Sequence, residues 1–223
     1  MINVEIPQID VPQGNATMAN KDFMFLLPPS PIFGMHNLRF MDFAARHNFL
    51  NKLLREVYIE HGIGRNIREN EKFYSFDANH YTYKNNIETI IYWLRKTADE
   101  LISLVYYIHF VKVNKTEPTK IVIDCIGRLL NDDGEIKVLL NKHVDFLTKL
   151  NNISNSYKHS FINRETGHLI GVEEPTVVGL QIKNNDAANN PVFHNYYLKE
   201  IVLSYVDFFS GTTKVLQDMH PYW

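Results

Sequence analysis

The chain has 223 residues, 45% hydrophobic and 22% charged, with a formal net charge of −2. That length suits one domain with a substantial core, the composition excludes a disordered chain, and the near-neutral balance excludes a globally basic nucleic-acid binder. A single cysteine, Cys125, excludes an internal disulfide and points to a reducing, cytoplasmic compartment.

Residues 1–35 carry Pro7, Pro12, Pro28, Pro29 and Pro31, which break any helix. Between them runs apolar Phe23-Met24-Phe25-Leu26-Leu27. The expectation is an extended arm lying on the body or on a partner subunit, because a solvated tail does not carry so many large apolar groups. Met1 to Pro7 lacks the basic start and apolar run of a signal peptide.

The helical domain is expected over 36–223. Met41, Ala45, Phe49, Leu53 and Val57 recur at helical spacing, with Phe43, Leu50 and Leu54 widening the face, and predict a first helix over about 38–61, with Asn37 as N-cap and Gly62 as stop. Polar, tyrosine-rich 63–84 reads as a loop. A second helix over about 86–113 has the bundle seam Ile87, Ile91, Leu94, Ala98, Leu101, Val105 and Ile108. Its most apolar stretch, 101–113, contains His109 and Lys112 and is too short to span a bilayer, so no membrane association is expected. Pro118 suits the first turn of a third helix continuing over 121–130. That would bury Cys125 between Ile123 and Ile126 as a structural thiol, since nothing near it in sequence would stabilise a thiolate.

A fourth helix over about 135–159 has the seam Ile136, Leu140, His143, Leu147, Leu150, Ser154 and Tyr157. The β-prone segments 168–173 and 176–183, flanking Glu174-Pro175, predict a hairpin. A last helix over about 192–219 follows, where Gly211 marks a place for a kink or an end. The expected class is therefore mainly all-α: a bundle of about five helices, with a β-hairpin near 168–183 and an N-terminal arm.

The chemistry-bearing residues gather at the end of the fourth helix. Asn152, Asn155 and His159 are spaced by three and four and share a face, with Asn151 and Lys158 on the adjacent strip. A histidine there can shuttle a proton near neutral pH. Asn155 can hold the imidazole or position a phosphate, and Lys158 can neutralise phosphate charge. Together they suit metal-free phosphodiester cleavage by transfer to a ribose hydroxyl. The competing reading is a polar helix end facing solvent, where cationic side chains complement the helix dipole. On the second helix, Arg95 and Asp99 stand four apart, either as a surface ion pair or as a site pair facing the fourth helix.

The run Ser154-Asn155-Ser156-Tyr157-Lys158-His159 resembles the signature of the HEPN superfamily, helical bundles of prokaryotic toxin–antitoxin and phage-defence systems, many of them metal-independent RNases. The family motif is an arginine, then four to six residues, then histidine, commonly with asparagine after the arginine and lysine before the histidine. Asn155, Lys158 and His159 match it, and Ser154 stands at the arginine position. The resemblance implies a homodimer and a catalytic arginine–histidine pair. Serine supplies neither fixed charge nor bidentate phosphate contacts, so Arg95 and Arg164 are the candidates to replace the arginine.

Ten histidines form no His-x-x-x-His pair or Cys/His cluster, so no metal is expected. Asp77 and His80 stand three apart with no second half-site. No Walker-type or dinucleotide-type glycine loop implies a cofactor. The functional expectation is a HEPN-like binding or regulatory protein, with RNA or protein as partner and Asn151, Asn152, Ser154, Arg95 and Asp99 contributing to binding. The alternatives are an RNase using His159, Asn155 and Lys158, and a structural homo-oligomer without an active site.

Overall fold

The structure, a computed structural model, describes residues 5–10, 30, 32–70, 78–159, 173–182, 186, 188 and 190–219, with the backbone alone at 36, 37, 67–70, 78–81 and 159. Among these residues six helices and one antiparallel strand pair follow in order. They are α1 (His36–Asn70), α2 (Ala78–Asn114), α3 (Ile126–Leu130), α4 (Glu135–Leu139), α5 (Val144–His159), β1 (Thr176–Gln181), β2 (Val192–Tyr197) and α6 (Leu198–Met219). A 3-10 turn, Asn141–His143, separates α4 from α5. The protein is thus a mainly helical bundle with a β-hairpin, and no described helix is long and apolar enough to cross a membrane.

The second helix is the centre of the bundle and packs against α1, α5 and α6. Its whole expected seam, Ile87 to Ile108, is buried, and Ile90, Ile102 and Leu104 add a second buried face. Each such side chain contributes about 1.5–3 kcal/mol by leaving water, which explains why a helix this apolar is found at the core.

The first helix turns only part of its expected face inward. Phe43, His47, Leu50, Leu54 and Val57 are buried, whereas Met41, Ala45 and Phe49 are exposed. The helix carries two apolar stripes, and the partners decide between them. Phe43 and His47 meet Phe209 of α6 edge-to-face, at 5.9 and 4.8 Å between centroids. Arg46 lies over the Trp93 ring of α2 at 4.8 Å and donates to Thr97 Oγ1 at 2.8 Å.

Several boundaries are corrected. The expected loop 63–84 is helical over 63–70 and 78–84. Pairing overrides local propensity there: His61 stacks on Tyr83 of α2, and Asn86 donates to Glu56 at 3.3 Å. The third helix is only Ile126–Leu130, because Lys115 ends α2 in the left-handed region at φ 58° and β-branched residues 121–123 do not continue a helix. Cys125 is accordingly half-buried in extended backbone at the entry to α3, outside any helix. The fourth helix is broken at 140–143, although its expected seam from Ile136 to Tyr157 still faces inward.

The hairpin is also shifted. Segment 176–181 is β1, but its partner is 192–197, from Thr176↔Tyr197 to Gln181↔Val192, in what the helical reading took as the first turns of the last helix. Val-Phe-His-Asn-Tyr-Tyr favours a strand through its β-branched and aromatic side chains. Residues 168–172, the other expected strand, lie outside the described residues. Leu198 N–H donates to the Pro175 carbonyl at 2.9 Å, closing the hairpin base where α6 begins. That helix runs unbroken through Gly211.

The described parts of the 1–35 segment pack on the helical body. Ile9 is buried, and its backbone exchanges hydrogen bonds with Asn51 at 2.8 and 3.3 Å. Ser30 donates to Glu117 at 2.9 Å, and Phe33 packs on Tyr107.

Candidate functional site

The end of α5 is positioned from three sides, by α2, α3 and β1. The strand lies very close: a Cβ on Gly179 would fall 3.0 Å from both Ile153 Cδ1 and Ser156 Cβ. A side chain at 179 would press the helix and strand apart by a few tenths of an ångström, so glycine suits this close approach. Ser156 is fully buried and donates to the Asn152 carbonyl at 2.9 Å.

Ser154, at the arginine position of the motif, faces the core and is only 3% exposed. It continues the seam of Leu147 and Leu150, both fully buried. An arginine at this position would place a guanidinium among apolar side chains, so the serine here is a packing residue.

A guanidinium nevertheless reaches Asn155. Arg95 of α2 donates to Asn155 Oδ1 at 2.7 Å. Its Nε lies 3.6 Å from Asp99 Oδ2, and the two side chains are 12% and 23% exposed. The pair therefore differs from an ordinary solvated i,i+4 contact. It faces α5, as one of the two sequence readings expected. Of the two arginines considered as replacements, Arg95 is brought to Asn155, while Arg164 lies outside the described residues.

Asp99 has a second task that sequence reading missed. Its Oδ1 accepts the Ile126 backbone N–H at 2.8 Å and so satisfies the first turn of α3 from another helix. Ser103, one turn on, donates to the Asp124 carbonyl at 3.1 Å and to the Asp99 carbonyl at 2.9 Å. The only local signal at Asp99 is its spacing from Arg95; the 27-residue reach to Ile126 has no sequence signature.

The electrostatics are those of a compact ionic cluster. Burial raises the Asp99 carboxyl above its ordinary range, opposed by the Ile126 N–H, Arg95 and Lys158. Partial burial and the Arg95 charge lower the Lys158 ammonium, opposed by Asp99 and Cys125. Burial raises the Cys125 thiol, with Asp124 and Asp99 adding to the effect. That is the environment of an unreactive thiol.

The remaining candidates are placed as follows. Asn151 and Asn152 are half-buried on α5, and Asn151 Oδ1 has no hydrogen-bond partner among the described residues. His159 is the last residue of α5, and its side chain lies outside the described residues, as do Asp77 and the side chain of His80. His143 is a core histidine, 3% exposed, with Nδ1 at 3.4 Å from Asp207 and its ring edge-on to Phe208. Among the described residues no cluster of His, Cys, Asp or Glu could hold a metal ion.

The cluster thus offers two cations, one carboxylate and one amide at the end of a helix. Its exposed cation, Lys158, can contact an anion, with Arg95 beside it and Asp99 tempering the positive charge. Comparison of the chain with protein-family models, with curated proteins and with solved structures gives no match.

Proposed function

We propose that this is a HEPN-like helical protein that binds RNA without cleaving it, as a binding or regulatory component of a prokaryotic defence or toxin–antitoxin module. The RNA backbone would be held at Arg95, Asn155 and Lys158, with His159 one turn beyond Asn155. The supporting observation is the state of the arginine. The motif position holds a buried serine, and the guanidinium that reaches Asn155 is already matched by Asp99. An arginine so neutralised can hold a phosphate, but is poorly disposed to stabilise the extra charge of a phosphoryl-transfer transition state.

A second reading, a metal-independent RNase, draws on the same 2.7 Å contact. Arg95 would then be the replacement for the motif arginine and His159 the general acid or base. Incubating structured and single-stranded RNA with the protein in EDTA separates the two. The proposal expects intact RNA; cleavage that disappears in His159→Ala would establish the RNase reading instead.

A further inference from the structure

The outward face of α1 has no role in the cluster described above. Ala45, Phe49, Lys52, Glu56, Ile59 and Ile63 fall within about 80° of one another at 3.6 residues per turn. They lie opposite the buried stripe, and all six are exposed, with Phe49, Ile59 and Ile63 at 44%, 53% and 51%. The spacings of four, three, four, three and four are those of a helix-pairing seam. At its middle are one cation and one anion. Lys52 has no ion-pair partner among the described residues, and Glu56 accepts one bond from Asn86 through Oε2.

The charge order selects the occupant. In an antiparallel pairing of α1 with a second α1 about a two-fold axis between residues 52 and 56, Lys52 meets Glu56 of the other copy, and Glu56 meets its Lys52. Phe49 then opposes Ile59, and small Ala45 opposes Ile63, on both sides of the axis. A parallel pairing would set lysine against lysine and glutamate against glutamate. The seam from 45 to 63 runs about 27 Å at 1.5 Å per residue, and a two-fold axis makes one surface complement itself.

We infer that a second copy of this chain docks on the outward face of α1, forming an antiparallel α1–α1 pair with reciprocal Lys52–Glu56 contacts. The test is the mass of the full chain by light scattering at tens of micromolar. The parent is a dimer. Phe49→Glu is a monomer that keeps its helical circular dichroism. Lys52→Glu and Glu56→Lys are each monomeric alone, because every crossing contact becomes repulsive, and mixing the two variants restores a dimer of one chain of each. The two charge variants carry the test if Phe49→Glu fails to fold. A monomeric parent, a dimer that survives Phe49→Glu, or charge variants that do not combine on mixing would overturn the inference. None of these outcomes depends on whether the protein binds RNA.

Discussion

Arg95 of α2 donates to Asn155 of α5 across 2.7 Å, and the same guanidinium lies 3.6 Å from Asp99, one turn further along its own helix. One arginine thereby joins the centre of the bundle to the end of α5. Its carboxylate partner fixes the start of α3 through Ile126. The candidate site and the local architecture therefore share residues, and substitutions must be chosen to separate them.

Asp99 allows that separation. Asp99→Asn keeps an oxygen for the Ile126 N–H while removing the negative charge beside Arg95 and Lys158. It should leave the melting temperature nearly unchanged and tighten RNA binding several-fold, measured at fixed salt. Asp99→Ala removes the acceptor as well and should destabilise the fold by about 1–2 kcal/mol, read from denaturant unfolding.

Lys158 contributes one phosphate contact in the proposed site. Lys158→Ala should weaken RNA binding uniformly across sequences and lower the slope of log affinity against log salt by about one. It is exposed, so stability should change little. An unchanged salt slope would remove Lys158 from the site.

A pH effect follows from a different part of the core. His47 is fully buried, with Nε2 at 2.7 Å from the Tyr205 hydroxyl. Burial, and then the Arg46 charge, lower its pKa from 6.5 to about 4. Between those values the unfolded chain takes up a proton that the folded protein refuses, so stability falls as pH drops from 6.5 towards 4. The shift corresponds to about 3 kcal/mol. His47→Gln can keep a bond to Tyr205 without titrating, and should flatten this part of the curve of unfolding free energy against pH. Asp99, raised by burial, acts in the opposite direction, so the difference between parent and variant is the quantity to read.

Two helical glycines should respond oppositely to alanine. At Gly62 in α1 a Cβ would meet nothing within 4 Å, so Gly62→Ala should stabilise by about 0.5–1 kcal/mol through helix propensity. At Gly211 in α6 a Cβ would lie 2.6 Å from His143 Nε2 and 3.0 Å from Lys142 Nζ. The lysine can move, but the buried imidazole cannot, so Gly211→Ala should destabilise by about 1–2 kcal/mol despite the same propensity gain. Thermal melts of the two variants check both signs.

What the sequence discloses here follows the range of each interaction. The α2 seam was legible because a helix packed at the centre of a bundle repeats its apolar pattern without interruption, and every seam residue from Ile87 to Ile108 is inside. The inward face of α1 was legible only in part: Phe43, Leu50, Leu53, Leu54 and Val57 are buried as the pattern suggests, but Met41, Ala45 and Phe49 are exposed, because contacts with α6 such as Phe43 on Phe209 set the rotation of the helix. β2 was misread because His194, Tyr196 and the other residues of 192–197 also fit the approach to an amphipathic helix. Its pairing is fixed by contacts such as His194 Nε2 to Gln181 Oε1 at 2.9 Å, thirteen residues away. At the site, spacing grouped Asn155 with Asn152 and His159, put Lys158 on the adjacent strip and paired Arg95 with Asp99, but the meeting of Arg95 and Asn155 is a contact sixty residues apart. The burial of Ser154 was legible from its place in the seam of Leu147 and Leu150.

The most direct measurement is a fluorescence-anisotropy titration of labelled single-stranded RNA, in EDTA, with the parent protein and with Arg95→Ala of verified helical content. The account predicts saturable binding by the parent and a loss of roughly tenfold or more in the variant, in keeping with removal of a charge-assisted phosphate contact worth about 1.5–3 kcal/mol. No binding by the parent, or equal affinity of the two proteins, would contradict it.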